Sequence, residues 1–328
     1  MGFILRRLFF YLAAFMVAVV INFMLPRLMP GDPVTAMLGG RGAMMTYDQI
    51  EALRQTFGFV DGPLIQQFFS YVSSVFQGDL GTSVQSFPET VSTILGRAFG
   101  WTLFLTGAGT LLAFIVGSLL GILAAWNRGG WFDSIVSPLS LILQATPQLV
   151  FGLLFMFVFG VTLQWLPSGY AFSPELTPEF SWLFISDVAA HAILPVFTVF
   201  IVQLGGFLIP MRNNMINLLN EDYITMGKAK GLSQLRVMLN YGARNAVLPS
   251  VTSLSMALGM VIGGAMVVEV IFNYPGLGTV LYNAILARDY QLIQGQLLVM
   301  TLFMLFFNFM ADILYLFLDP RLKHGGSA

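Results

Sequence analysis

Six separate stretches of this chain stay apolar for about twenty residues or more: roughly 9–29, 101–126, 135–165, 188–211, 247–272 and 295–318. A hydrocarbon layer of ~30 Å is crossed by about 20 helical residues. In lipid, only helices and closed barrels satisfy every backbone amide. These lengths predict an all-α membrane protein with about six transmembrane helices. Composition agrees, because 57% of the 328 residues are hydrophobic and 9% are charged, whereas soluble domains carry about 25% charge. The apolar excess is more than one core can bury, so a lipid bilayer must cover the rest.

The first run, Leu8 to Leu25, follows Leu5-Arg6-Arg7 and reads as a retained span. No small-residue cleavage site follows it; Pro26, Arg27 and the turn Pro30-Gly31-Asp32-Pro33 do. The third run contains Pro147 and is expected to kink, and Pro195 and Pro210 are expected to interrupt the fourth. Gly117 and Gly121, and likewise Gly259 and Gly263, lie one turn apart and allow close helix packing, within the chain or at a dimer seam. Gly107 and Gly109 fall outside that spacing.

Lysine and arginine set orientation. With the N-terminus inside, ten of the 15 basic residues fall on the inner side and five outside. That bias predicts cytoplasmic N- and C-termini. Residues 1–100 then make the first span plus an external helical segment, 101–320 a five-helix core, and 321–328 a cytoplasmic tail. In the external segment, Thr46 and Gln49 form a capping box, Ile50, Leu53 and Phe57 share a face, and Gly58 supplies a left-handed stop. A second amphipathic helix is expected from about Leu64 to Phe76, lying on the outer surface. Trp165 and Trp182 flank a shorter external segment as interface anchors.

The inner loop 220–249 carries the densest local signals. Asp222 is expected to cap a short helix from about Tyr223 to Lys230, Gly231 to end it, and Ser233 to cap the next. Lys228 and Lys230 make it basic. A short basic helix with small residues, held away from the membrane, suits docking into a cleft on a partner.

Catalytic readings fail. No P-loop, His-Glu-x-x-His or Gly-x-Ser-x-Gly pattern is present, so no catalytic residue is expected. There are no cysteines, and His191 and His324 are far apart, so no metal site is expected. A net charge of −1 gives no basic surplus for nucleic acid. Gln144, Thr146, Gln148, Gln203 and Asn308 are polar groups within spans that could line a pathway or bond between helices. Glu269 lies close to the turn at 273–276 and is expected to cap it or to contact the external segment, and Asp312 is expected to pair within the bundle.

Several motifs occur in order along nearly the whole chain. They include Gly78-Asp79-Leu80-Gly81 with Ser83, then Pro88, Thr90, Ile94 and Arg97. Asp222-Tyr223 precedes Ala229-Lys230-Gly231-Leu232-Ser233, with Arg244-Asn245-Ala246 and Leu248-Pro249 behind. Glu269 and Phe272 precede Pro275-Gly276-Leu277-Gly278, Arg288-Asp289-Tyr290 and Asp319-Pro320-Arg321. In these the chain resembles the B-type permeases of the dipeptide/oligopeptide/nickel family of ATP-binding-cassette importers, the binding-protein-dependent inner membrane components. It departs from them at Thr225-Met226-Gly227, where the loop's name-giving Glu-Ala-Ala would fall, and at Arg244, where many relatives have proline. The resemblance implies the type I importer architecture, with an ATPase-coupling loop at Asp222, Tyr223, Lys228, Ala229, Lys230, Gly231 and Ser233. It implies a prokaryotic inner membrane, a second (C-type) permease, two ATPase subunits that bind ATP and Mg, and an external binding protein. This chain itself would hold no cofactor. The implied cargo is di- and oligopeptides, with oligosaccharides or nickel complexes as the alternative. A different class, an autonomous channel or ion-coupled carrier, would require coupling carboxylates in mid-membrane or an inverted repeat, and neither stands out.

Overall fold

A computed structural model of the chain describes residues 2–28, 62–264 and 266–318, with Thr46 and Asp48. The turn at 30–33, the helix expected around 46–58 and the segment beyond 318 lie outside the described residues.

The apolar runs fold as helices. They are α1 (Gly2–Leu28), α2 (Leu64–Phe76), α3 (Val91–Trp126), α4 (Trp131–Ala145) and α5 (Gln148–Phe155), which continues as a π-helical stretch over Met156–Thr162. Next come α6 (Trp182–Leu218), the short α7 (Asp222–Ala229) and α8 (Arg244–Gly264), the last entered through Gln234–Arg236 and π-helical Val237–Ala243. Then come α9 (Met266–Ile271), α10 (Leu277–Ala287) and α11 (Tyr290–Leu318). Among the described residues there is no strand, only an isolated bridge between Thr82 and Thr90.

Four helices are long and apolar enough to cross a membrane: Leu5–Leu25 of α1, α3, α6, and Tyr290–Ile313 of α11. The pair α4 and α5 gives up to a fifth, but it bends by 96°. The kink expected at Pro147 is thus a break: Thr146 is extended and Pro147 starts the second half. The fifth expected span, 247–272, falls on α8 and α9. Residue 265, between the two helices, is not among the described residues, and the described residues do not establish six crossings. Pro195 and Pro210 do not interrupt α6, which runs through both for 37 residues. Neighbouring helices and local adjustments satisfy the carbonyls that a proline frees within a membrane helix. At 1.5 Å per residue α3 and α6 are each about 55 Å long, well beyond the hydrocarbon thickness.

The described residues group into two compact units. One holds those up to Thr102 and from Pro275 to Phe309; the other holds Leu103–Tyr274 and those from Met310 onward.

In the first unit, α2 has the bounds its amphipathic pattern predicts, and it packs on α1 through Phe68 and Tyr71 against Phe23. Arg27 donates to Gln67 Oε1 at 2.8 Å and lies 3.6 Å over the Phe23 ring. Burial raises the Tyr71 phenol above its ordinary pKa, against the opposing pull of Asn22 and Arg27. Asn22 of α1 and Gln294 of α11 hold each other reciprocally: each side-chain amide donates to the other's backbone carbonyl at 2.7 Å. The most buried polar knot joins two of the sequence motifs. Asp289 accepts from Ser83 Oγ at 2.5 Å, from the Gln85 amide at 3.0 Å and from the Leu292 amide at 3.1 Å. Both Asp289 and Ser83 are fully buried. A carboxylate shielded from water is tolerated because donors replace its hydration.

In the second unit, α3 and α6 meet along a seam of small residues. Gly109, Ala113, Gly117 and Gly121 recur every four residues of α3 and so share one face. A Cβ on Gly121 would stand 2.6 Å from the Leu208 carbonyl oxygen, and one on Gly117 2.9 Å from that of Leu204. The Gly117/Gly121 pair therefore packs inside the chain. Gly109 belongs to the same face, bridged by the fully buried Ala113.

Candidate functional site

The second unit presents an exposed short helix, a buried ion pair and a cavity. The short helix is α7, followed by the chain that returns to α8. Glu221, not Asp222, occupies the cap position, with extended backbone at φ −76° and ψ 148°. Asp222 is the first helical residue, where its charge still favours the positive end of the helix dipole. The helix ends as expected at Gly231, whose φ of +74° is left-handed. Gly231 N donates to Lys228 O at 3.0 Å and Leu232 N to Gly227 O at 3.4 Å, the paired bonds of a Schellman stop. Ser233 precedes Gln234–Arg236 with extended backbone, but its hydroxyl makes no cap bond; its carbonyl accepts from Val237 N at 3.0 Å.

One face of α7 is buried and the other is free. Ile224 is fully buried, and Gly227 lies against Val237, Leu232 and Tyr241. A Cβ on Gly227 would sit 3.8 Å from Val237 Cγ2, so the missing alanine leaves room rather than strain. Tyr223 is half-buried, and Asp222, Met226, Lys228, Ala229, Lys230, Gly231 and Ser233 are exposed. The residues read from the sequence as docking positions are therefore all exposed, Tyr223 partly excepted.

Behind this surface the packing is continuous. Met238, Ala243 and Ala246, from the segment that follows α7, pack with Met211 and Met215 of α6 and Ile122 and Ala125 of α3. Adjacent to Met211, Arg212 forks onto Asp133 at the start of α4: Nε to Oδ1 at 2.5 Å and Nη2 to Oδ2 at 2.7 Å. Ser137 Oγ and the Gly129 amide complete the carboxylate at 2.8 and 3.0 Å. Sequence reasoning missed Asp133. Its signal was an acid in the first turn of a helix that follows Gly129-Gly130.

The cavity occupies about 440 Å³ where α3, α4, α5, α6 and α8 converge. Gln144, Gln148 and Gln203 line it, with Thr106, Gly206, Phe207 and Ser253 among the others. Thr146, at the α4–α5 break, is not among the lining residues; its hydroxyl donates to the Ile142 carbonyl at 2.8 Å. Asn308 lies on α11 in the first unit. Glu269 is fully buried, and its main-chain carbonyl accepts from Tyr274 N at 2.7 Å. Among the described residues no three His, Asp or Glu side chains gather as a metal site would require.

Family comparison matches this architecture along nearly its whole length. Residues 117–324 match the model of the binding-protein-dependent transport system inner membrane component, and residues 1–102 match that of its N-terminal region. The chain belongs to this family. It is therefore an all-α, multi-pass membrane component of an ATP-binding-cassette transporter. A Brucella suis biovar 1 (strain 1330) protein, provisionally named a peptide permease, is 36% identical over 319 residues, covering 97% of this chain and 98% of the relative. The glutathione transport system permease protein of Salmonella typhi is 33% identical over 324 residues, 99% of each chain. The di/tripeptide transport system permease protein of Pseudomonas aeruginosa (strain UCBPP-PA14) is 34% identical over 338 residues, again 99% of each.

Proposed function

We propose that this chain is the permease subunit of an ATP-driven peptide importer, with no ATPase site of its own. The observation that carries the reading is the exposed, Schellman-stopped α7, backed by unbroken packing onto α6 and α3. A helix that only closed a loop would need no such backing. The relatives' peptide and glutathione cargoes support short peptides as this chain's cargo. A second, C-type permease completes the path, and two ATPase subunits, which bind ATP and Mg, each dock on a coupling loop. An external binding protein delivers cargo. In this chain the docking residues are Asp222, Tyr223, Lys228, Ala229, Lys230, Gly231 and Ser233. Residues 1–100 supply the first span and external segment, and 101–320 the core.

The test is gentle detergent purification of the tagged chain, with mass spectrometry of what accompanies it. A second permease and P-loop ATPases are expected. A chain that purifies alone as a stable oligomer would point instead to an autonomous channel or carrier.

The charge bias supports cytoplasmic termini and an external 30–100 segment in a bacterial inner membrane. Ser83 is buried against Asp289 and cannot report on this, whereas Ser86 is exposed. Ser86→Cys, in a chain with no natural cysteine, is expected to react with an impermeant thiol reagent in intact spheroplasts. Reaction only after lysis would reverse the orientation.

A further inference from the structure

The cavity in the second unit has a lining whose hydrogen-bonding capacity is unspent. Gln144, Gln148 and Gln203 bring three side-chain amides to its wall, and none of them makes a hydrogen bond among the described residues. Thr106 is 2% exposed, and its hydroxyl is buried without a partner. Thr106 and Gln203 lie near the midpoints of α3 and α6, two helices long enough to cross the bilayer. An uncommitted amide at that depth is costly in hydrocarbon, and polar groups there face a cavity or a pathway. Helix packing does not account for these amides, because packing would have paired them.

We propose that this cavity is a cargo subsite that holds the backbone of a short peptide through neutral amide–amide hydrogen bonds. The proposal rests on the peptide-import reading. A side-chain amide offers a carbonyl acceptor and two N–H donors, the same complement that a peptide bond presents. The cavity's size falls within the ~300–1,000 Å³ of small-molecule sites. No charged residue lines it, so it neither demands nor rejects a charged side chain on the cargo. A sugar would be gripped by stacking on an open ring face. The lining's aromatic, Phe207, is 5% exposed and stands edge-to-face with Phe114 at 84°. Metal complexes would find no charged ligand here. Neutral, two-way hydrogen bonding therefore assigns the cavity to peptide bonds.

Charge indifference can be deliberately broken. Gln203→Glu and Gln203→Lys place opposite charges of similar length at one point of the wall. Uptake of labelled Ala-Ala-Ala, Ala-Glu-Ala and Ala-Lys-Ala is measured in cells carrying the intact transporter, each variant normalised to wild type for the same peptide. In the Glu variant the Ala-Glu-Ala to Ala-Lys-Ala ratio is expected to fall by about tenfold, and in the Lys variant to rise by a similar factor. Normalisation removes the binding protein's own preference. A structural role for Gln203 alone would lower all three peptides together and leave the ratio unmoved in both variants. That result, or no change in any peptide, overturns the subsite while leaving peptide import intact. If wild type moves none of the three peptides, the import reading fails and the subsite with it. Gln144→Glu and Gln144→Lys, at an exposed position, give the same reading should a Gln203 variant not assemble.

Discussion

Replacing Asp133 with alanine is expected to cost the folded permease about 3–5 kcal/mol, because it strips a buried ion pair of one partner only. Asp133 is 5% exposed and receives four hydrogen bonds, two of them from Arg212. Alanine would leave a guanidinium aimed at an apolar methyl, holding on to a long 3.4 Å bond from Nη1 to Asn213 Oδ1. The expected readout is a lower thermal midpoint of the detergent-purified protein and less of it in the membrane. Asp133→Asn should fall between, since it keeps the shape and some acceptor capacity but loses the charge. The double variant Asp133→Ala with Arg212→Met should recover part of the loss, because a paired removal leaves no orphaned charge. An alanine variant as heat-stable as wild type would show that the pair carries no net stability.

The second large effect concerns transport rather than folding. A side chain on Gly231 meets no atom within 4 Å, so only its φ of +74° resists substitution. An L-residue in that conformation costs roughly 1–2 kcal/mol, and a β-branched one is a true outlier. Gly231→Val should therefore loosen the Schellman stop without touching the core. The end of α7, with Ala229 and Lys230, would then lose its fixed presentation. Uptake is expected to fall by roughly tenfold, equivalent to about 1.4 kcal/mol of coupling free energy, while ATP hydrolysis and membrane level persist. Gly231→Asn, which tolerates left-handed backbone better, should retain more uptake than valine. Uptake equal to wild type in the valine variant would remove this helix from the coupling role.

The parts of this molecule that local chemistry dictates were legible in its sequence. The bounds of α2 followed from an apolar face that recurs with helical period, and the left-handed stop at Gly231 from a glycine at the end of a short helical pattern. The three glutamines stood out as polar interruptions of apolar runs, which is why they could be named before their cavity was seen. What long separation decides was not legible. Asp133 and Arg212 are 79 residues apart, and Ser83 and Asp289 are 206. Ser83 and Asp289 stood within motifs, but nothing in the sequence paired these two, or Asp133 with Arg212, until the fold brought them together. The seam was half-read: the glycine pair was visible, but Ala113, which carries the four-residue repeat back to Gly109, is too common a residue to announce itself. The prolines of α6 misled for a related reason. Proline's local rule counts a lost hydrogen bond and a ring clash against the preceding turn, whereas in a membrane helix neighbouring groups and local adjustments satisfy the freed carbonyl.

The first unit is assembled from two stretches far apart in the chain, up to Thr102 and Pro275–Phe309, and this imposes an order on biosynthesis. Synthesis runs from the N-terminus, so α1 enters the bilayer long before α11 exists. Until then the Asn22 amide lacks the Gln294 carbonyl it will meet at 2.7 Å, and Ser83 lacks Asp289. More than 170 residues, all of Leu103–Tyr274, must be threaded in between. Through most of translation the Asn22 amide thus has Tyr71 as its partner but not Gln294, and α11 completes the unit.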